Sequence, residues 1–278
     1  MRWGIKGWRW LGLAVALGSS LPLWAETEAR SAGTRKSTWK RPTVRPFITD
    51  DARVVGHRLA QAEAWLRIDR EAGQKWLLMA YGPTPRLELT VGGVGGYEVV
   101  RDAERGTEIH KAAYALPLLQ GKYLFRPYAP GKGPGVATVL GTFLPMGQGF
   151  FRPPGYGVFT FTNVTQCFGR HEDVLIHVNG GANYLHADLE RPLIATWGVG
   201  TQVRTYKGFH LVSEVFSGDP YIPGTGTAWQ GGFRHFFSEW VQMDMTVGQG
   251  IAGDVVLPLW GTVGVRMVTR RFASKGKS

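Results

Sequence analysis

The chain has 278 residues, of which 44% are hydrophobic and 12% aromatic, with 39 glycines, 16 prolines, one cysteine and a formal net charge of +11. A single cysteine excludes an intramolecular disulfide, so this is not a small secreted domain held by staples, nor a cysteine-built zinc or iron–sulfur protein. A nucleic-acid reading needs a basic face with interleaved aromatics on a folded module, and here the basic residues sit in a tail or are spread thinly. A mean hydropathy of −0.12 excludes a bundle of membrane helices.

Arg2, Lys6 and Arg9, the apolar run Leu11 to Leu17, and Leu23-Trp-Ala25 have the layout of a secretory signal peptide, expected over 1–25. Residues 26–47 carry Arg30, Arg35, Lys36, Lys40, Arg41 and Arg45 against Glu26 and Glu28, with no hydrophobic period. They read as a basic flexible leader. Arg45-Pro-Phe-Ile-Thr-Asp-Asp-Ala-Arg53 is an irregular entry segment. Beyond it, alternating runs place strands at about 57–69, 74–82, 85–95, 116–127, 134–144, 156–168, 172–185, 192–206, 208–217, 226–236, 239–248 and 257–269. An even number of strands, about twelve, returns the chain to its starting side, as single-chain bacterial barrels require. The barrel is expected over 48–272, followed by a basic tail, 273–278.

The joints alternate in length. Gly82-Pro-Thr-Pro85, Gly169-Arg-His171, Lys207-Gly208 and Ser238-Glu239 are tight, whereas the connections over 98–114, 145–156, 185–192, 218–225 and 249–256 are longer. Short periplasmic turns and long external loops are the pattern of outer-membrane barrels.

The segment Glu172–Leu185 shows the two faces best. Val174, Ile176, Val178, Ala182 and Tyr184 fall on one side, and His177, Asn179, Gly181 and Asn183 on the other. A soluble sandwich would bury the apolar face in a core, and a barrel would turn it to lipid. The export signal, the loop asymmetry and the aromatics near strand ends (Trp76, Tyr81, Tyr123, Phe125, Tyr184, Tyr206, Trp240, Trp260) favour lipid. The expected fold is therefore all-β, a closed antiparallel transmembrane β-barrel.

Its lipid face would include Phe159, Phe161, Trp197, Val199, Met245 and Val265, and its lumen face Thr160 and Thr162. The candidate lumen-lining, solute-contacting residues are His177, Asn179, Asn183, Gln202, Arg204, Glu214, Gln230, Arg234, Gln242, Asp244 and Arg266. Opposite charges on neighbouring strands can pair across the wall and narrow the bore, or form a ring that selects solutes. Inward Trp65, Phe216 and Phe236 would help to fill a bore of this size.

Several motifs, in order, resemble outer-membrane barrels of the family named for the MetA pathway of phenol degradation. They are Arg45–Arg53, Thr142-Phe-Leu-Pro-Met-Gly147, His177-Val-Asn-Gly-Gly181, Gly198-Val-Gly-Thr-Gln-Val-Arg204 with Leu211-Val-Ser-Glu214 and its buried Glu, and Gln230-Gly-Gly-Phe-Arg234. The resemblance implies a transporter-like barrel associated with hydrophobic or aromatic compounds and carries no catalytic residues. Such barrels commonly finish on an aromatic, which would be Phe272; here Ala273 to Ser278 follows it.

An enzyme of barrel lipids would need a serine beside a histidine and a third polar group. His210 and Ser213 share a strand but point to opposite faces. Ser238 lies near His235, which is expected to face lipid, and no Gly-x-Ser-x-Gly elbow occurs. His171, His177 and His186 lack metal-ligand spacing, and Gly92-Gly-Val-Gly-Gly96 precedes no helix. The expectation is a passive channel or transporter for small molecules, without cofactor. A plugged structural or surface-interaction barrel is the alternative, and a lipid-modifying enzyme a second. Its expected partners are outer-membrane lipid, lipopolysaccharide and a small-molecule solute, not nucleic acid.

Overall fold

The structure, a computed structural model, describes residues 48–269 except 103–105, 170, 187–192, 220–221 and 254–255. The expected signal segment, basic leader and basic tail lie outside the described residues. Twelve strands follow in order: β1 Ala60–Asp69, β2 Ala72–Tyr81, β3 Leu87–Asp102, β4 Thr107–Arg126, β5 Gly135–Gln148, β6 Tyr156–Phe168, β7 Val174–His186, β8 Leu193–Tyr206, β9 Phe209–Asp219, β10 Ile222–Phe236, β11 Val241–Ala252 and β12 Trp260–Val268. Each pairs antiparallel with its sequence neighbours, and β12 returns to β1 from Gln61↔Val268 to Asp69↔Trp260, so the sheet closes into a barrel. Closure pairs every strand on both sides through the middle of the barrel, where free N–H and C=O groups would need water. The ten residues of β1 and nine of β12 match one bilayer crossing by a tilted strand.

Some strand glycines are where the wall coils most tightly. A Cβ on Gly181 would lie 2.0 Å from the Thr160 carbonyl oxygen, and one on Gly232 the same distance from that of Met245. Only glycine permits this backbone approach.

The outside of the barrel is apolar. Leu66, Leu77, Met79, Leu89, Val91, Leu119, Leu140, Val178, Val199, Leu211, Met245, Val263 and Met267 are all exposed. Aromatics fringe the band near its two ends: Tyr81, Tyr123, Phe125, Phe168, Tyr206 and Phe209 on one, Tyr114, Phe150, Tyr156 and Tyr184 on the other. Inside, by contrast, Gln61, Glu63, Arg67, Glu88, Lys122, His177, Gln202, Glu214, Arg234 and Arg266 are buried. Polar within and apolar without is the reverse of a soluble protein, and it is the surface a bilayer requires. Trp76 and Trp260, expected among the fringing aromatics, instead point inward and are buried.

The stretch 98–114 is not a loop, because β3 and β4 continue through it as one hairpin from Gly96↔Ala113 to Asp102↔Thr107. Strands also run on at 145–148, 218–219 and 249–252, so the connections at that end are shorter than expected. On β6 the faces are inverted: Phe159 and Phe161 are buried inside, while Thr160 and Thr162 face out. The outward hydroxyls find partners within the wall. Thr160 Oγ1 donates to the Val139 carbonyl at 2.9 Å, and Thr162 Oγ1 lies 3.0 Å from Thr138 Oγ1. A threonine whose hydroxyl is bonded to its own sheet presents mainly a methyl group to lipid. The phenylalanines gain an apolar cluster with Leu78, Leu118 and Val139, flanked by Trp65 and Phe143.

Candidate functional site

The interior is divided by side-chain chemistry. Around β2 to β6 it holds the apolar cluster just described, with Glu88, Gln120, Lys122, Asn163 and Thr165 buried on the same strands nearer the tight turns. Around β8 to β12 it is a polar network. Arg234 donates to both carboxylate oxygens of Asp244, at 2.6 and 3.2 Å, and to Gln202 Oε1 at 2.9 Å. Gln202 Nε2 lies 3.0 Å from His210 Nδ1, and Gln242 Nε2 donates to Asp244 at 2.8 and 3.1 Å. Arg266 Nη1 reaches Gln61 Oε1 at 3.3 Å, and the Arg67 guanidinium stands 4.4 Å over the Trp260 ring. Fork-shaped Arg–carboxylate pairing of this kind compensates charges held away from bulk water.

Between these halves runs the entry segment. Residues 48–55 thread the lumen, and Thr49, Asp50, Asp51, Ala52 and Val55 are all buried there. The segment has no strand partner, so side chains from the wall satisfy its peptide groups. Glu214 accepts the Ile48 N–H at 3.0 Å and the Thr49 N–H at 2.7 Å, and it also accepts from Gln230 Nε2. Thr165 Oγ1 accepts the Ala52 N–H at 3.0 Å and can donate to His177 Nδ1, also at 3.0 Å. Glu88 accepts the Val55 N–H at 2.7 Å. Lys122 Nζ holds Asp50 at 2.8 Å and approaches Asp51 at 3.7 Å, with all three side chains at most 6% exposed. Asn163 Nδ2 donates to Asp50 Oδ2 and to the Asp51 carbonyl, both at 3.2 Å. With its amide turned oxygen toward N–H, Asn179 clasps the Asp50 peptide at 2.7 and 2.9 Å. Lower down, Arg53 pairs with Glu172 at 3.3 Å and covers the Tyr128 ring at 4.5 Å. Ile48 packs against Phe216, Ala228, Leu257 and Trp260.

The eleven candidate residues thus fall into four groups. His177, Asn179, Glu214 and Gln230 support the threaded segment, two of them through a neighbour. Gln202, Arg234, Gln242, Asp244 and Arg266 form the wall network. Arg204 is half-buried at the strand end, opposite His210. Asn183 is half-buried, its Oδ1 without a protein partner, on the wall of an apolar cavity. The partners contributed by the early strands and the segment itself, Asp50, Asp51, Glu88, Lys122, Asn163 and Thr165, are absent from the candidate set. Their signal was weak: Lys122 two residues from Gln120, and Glu88 two from Thr90, share an inward face.

That cavity has a volume of about 390 Å³ and lies at the end of the barrel away from the tight turns. Trp76, Val94, Leu118, Phe143, Phe151, Phe159 and Leu185 line it, with Gln74 and Asn183 the polar contributions from the strands. Trp65 and Trp76 stack beside it at 5.6 Å. A concave, largely apolar space with few polar groups is the usual form of a small-molecule site.

Of the residues weighed for catalysis, His210 is buried inside the barrel, whereas Ser213 Oγ, on the opposite face, accepts from Trp229 Nε1 at 3.1 Å. Ser238 Oγ accepts the Trp240 and Val241 N–H groups at 3.1 Å, and the His235 ring packs on Phe209 and Phe237.

No known protein-family profile matches the chain, and no curated protein matches it. Its fold is similar to solved outer-membrane barrels. An outer membrane channel from Pseudomonas putida F1 superposes with a TM-score of 0.62 at 10% identity, covering 79% of this chain and 98% of that one. The KdgM porin superposes with a TM-score of 0.52 at 7% identity, covering 76% and 99%. The same porin in complex with disordered oligogalacturonate gives 0.51 over the same shares.

Proposed function

We propose that this chain is a passive outer-membrane channel for small, mainly apolar molecules, aromatic ones included, and that residues 48–55 hold it shut at rest. The observation that carries the reading is the pairing of an apolar cavity of about 390 Å³ at one end with a segment, held largely by hydrogen bonds and ion pairs, that threads the lumen beneath it. A structural barrel has no need of a cavity, and it would more simply fill its bore with side chains. The sequence resemblance to barrels of the phenol-degradation family supports an aromatic or hydrophobic solute. In this reading Asn183 contacts solute in the cavity, Gln202, Arg234, Gln242, Asp244 and Arg266 line the path once the segment moves, and lipid and lipopolysaccharide cover the outer band.

The threaded segment also favours a second reading, a permanently plugged structural barrel. Currents through the full chain in planar bilayers, with phenol then added as a small aromatic probe, separate the two. The channel reading expects discrete openings and reversible block by phenol. A flat trace at every voltage, with no effect of phenol, supports the plugged barrel.

A further inference from the structure

β5 and β6 are paired only as far as Phe143↔Gly157. Above that rung β5 runs on to Gln148 with β4 alone as partner, through Leu116↔Met146, Ala115↔Gly147 and Tyr114↔Gln148. The chain that would otherwise extend β6 upward folds inward instead. It makes a 3-10 turn, Gly149–Phe151, and Phe151 packs on Trp76, Val94 and Ala115 inside the barrel. The wall therefore has a notch beside upper β5. At its edge Arg152 Nε donates to the Pro145 carbonyl at 3.3 Å, which satisfies a backbone group that a continued β6 would have paired.

The notch is framed by outward apolar side chains: Leu116 at 50% exposure, Met146 at 57%, Phe150 at 62%, Val158 at 39% and Tyr184 at 40%. They continue the lipid-facing band up to its aromatic fringe. The apolar cavity lies behind the notch, and backbone or side-chain atoms of Leu116, Leu144, Val158 and Tyr184 contribute to its lining. An entrance meant for water-borne solutes would place polar groups at its mouth. This one has an apolar sill between a hydrocarbon phase and an apolar chamber, with Arg152 at its edge as the one charged side chain among the described cavity-lining residues, its Nε bonded to the Pro145 carbonyl.

From this geometry we infer a side entrance: a lipophilic small molecule dissolved in the outer leaflet passes between β5 and β6 into the cavity without returning to water. The inference rests on the channel reading above and specifies the route and the solute class for that same cavity. Entry keeps the molecule in apolar surroundings, so it avoids the cost of exposing its apolar surface to water.

The test is the initial uptake of radiolabelled naphthalene by Gram-negative cells whose lipopolysaccharide slows entry of apolar compounds, with and without the full chain. Val158→Glu on β6 and, independently, Met146→Glu on β5 put a carboxylate on either jamb of the notch. Each position is exposed, so the barrel wall keeps its packing, and heat-modifiable gel mobility verifies assembly. Gly157→Phe fills the cavity from within, where a Cβ would make only ordinary contacts, 3.6 Å to Leu185 and 3.9 Å to Phe143. Val247→Glu places the same charge on the lipid face away from the notch.

The side entrance predicts at least a fivefold loss of chain-dependent uptake in the Val158, Met146 and Gly157 variants, and no change in the Val247 variant. Full uptake in both jamb variants with loss in Gly157→Phe overturns the side entrance and assigns entry to the aqueous mouth. Full uptake in Gly157→Phe as well removes the cavity from the route. No stimulation by the native chain refutes the channel reading itself.

Discussion

Replacing Lys122 by Met removes a cation that lies within 3.7 Å of both Asp50 and Asp51, while nearly preserving side-chain length. Breaking a buried ion pair from one side costs about 3–5 kcal/mol, because the remaining charge is left uncompensated. The lower end applies here. Asp50 keeps the Asn163 amide at 3.2 Å, and Asp51 keeps the Arg53 guanidinium at 3.7 Å. The barrel does not share this cost in full, since its strands are held by a closed ladder that Lys122 leaves untouched. The penalty therefore falls chiefly on the docked position of segment 48–55. A cost of about 3 kcal/mol shifts that equilibrium by about two orders of magnitude, at roughly 1.4 kcal/mol per tenfold. Single-channel recording in planar bilayers reads this as a rise in open probability, saturating if the native chain already opens in more than about one part in a hundred. Adding Asp50→Asn removes one of the stranded carboxylates, so the double variant should open less often than Lys122→Met alone, and the cycle isolates the coupling. Equal open probabilities in native, single and double variants would show that this ion pair does not hold the segment, and the reasoning fails.

Other perturbations give distinct readouts. Glu214→Ala strips the acceptor from the Ile48 and Thr49 N–H groups, charge-assisted bonds of about 1.5–3 kcal/mol each, and should raise open probability as Lys122→Met does. Native-like gating in that variant counts against the clamp. Phe159→Ala should lower the stability of the vesicle-embedded barrel to urea by about 3–5 kcal/mol, as expected for a buried phenylalanine. The same change at Phe168, which is 49% exposed, should cost clearly less, and the reverse order would mean that β6 faces the other way. Arg234→Gln removes the cation that grips both oxygens of Asp244 and makes the wall one unit less positive. In the Lys122→Met background the reversal potential across a salt gradient should move toward cation preference, and an unchanged potential would place the ions elsewhere.

Much of the architecture was legible because lipid on one side and a polar lumen on the other impose period two. The strand Val174–His186 shows it cleanly, with Tyr184 and Val178 out and His177 and Asn179 in. The polar residues of β8 to β12 were readable for the same reason. On β6 the period was right but its sign was not. Phe159 and Phe161 face a patch of lumen that is itself apolar, and bonded threonine hydroxyls cost little toward lipid, so greasy and wet lose their usual meaning there. The β3–β4 hairpin was hidden because its far part, Val99↔His110 to Asp102↔Thr107, continues on ladder hydrogen bonds without the alternation that marks the embedded strands. The threaded segment was hidden most deeply. Ile48-Thr-Asp-Asp51 has no period, and two adjacent carboxylates read as a solvated loop. Only the inward Lys122, Asn163 and Asn179, far away in sequence, make burial affordable.

Hydrocarbon, not protein or water, covers the outside of this barrel. Diluting urea-unfolded chain into phosphatidylcholine vesicles, and in parallel into plain buffer, tests it most directly, with strand content by circular dichroism and heat-modifiable gel mobility as readouts. The structure predicts a folded, heat-modifiable barrel in vesicles and aggregated or unfolded chain in buffer. A folded monomer in buffer without lipid or detergent would contradict it.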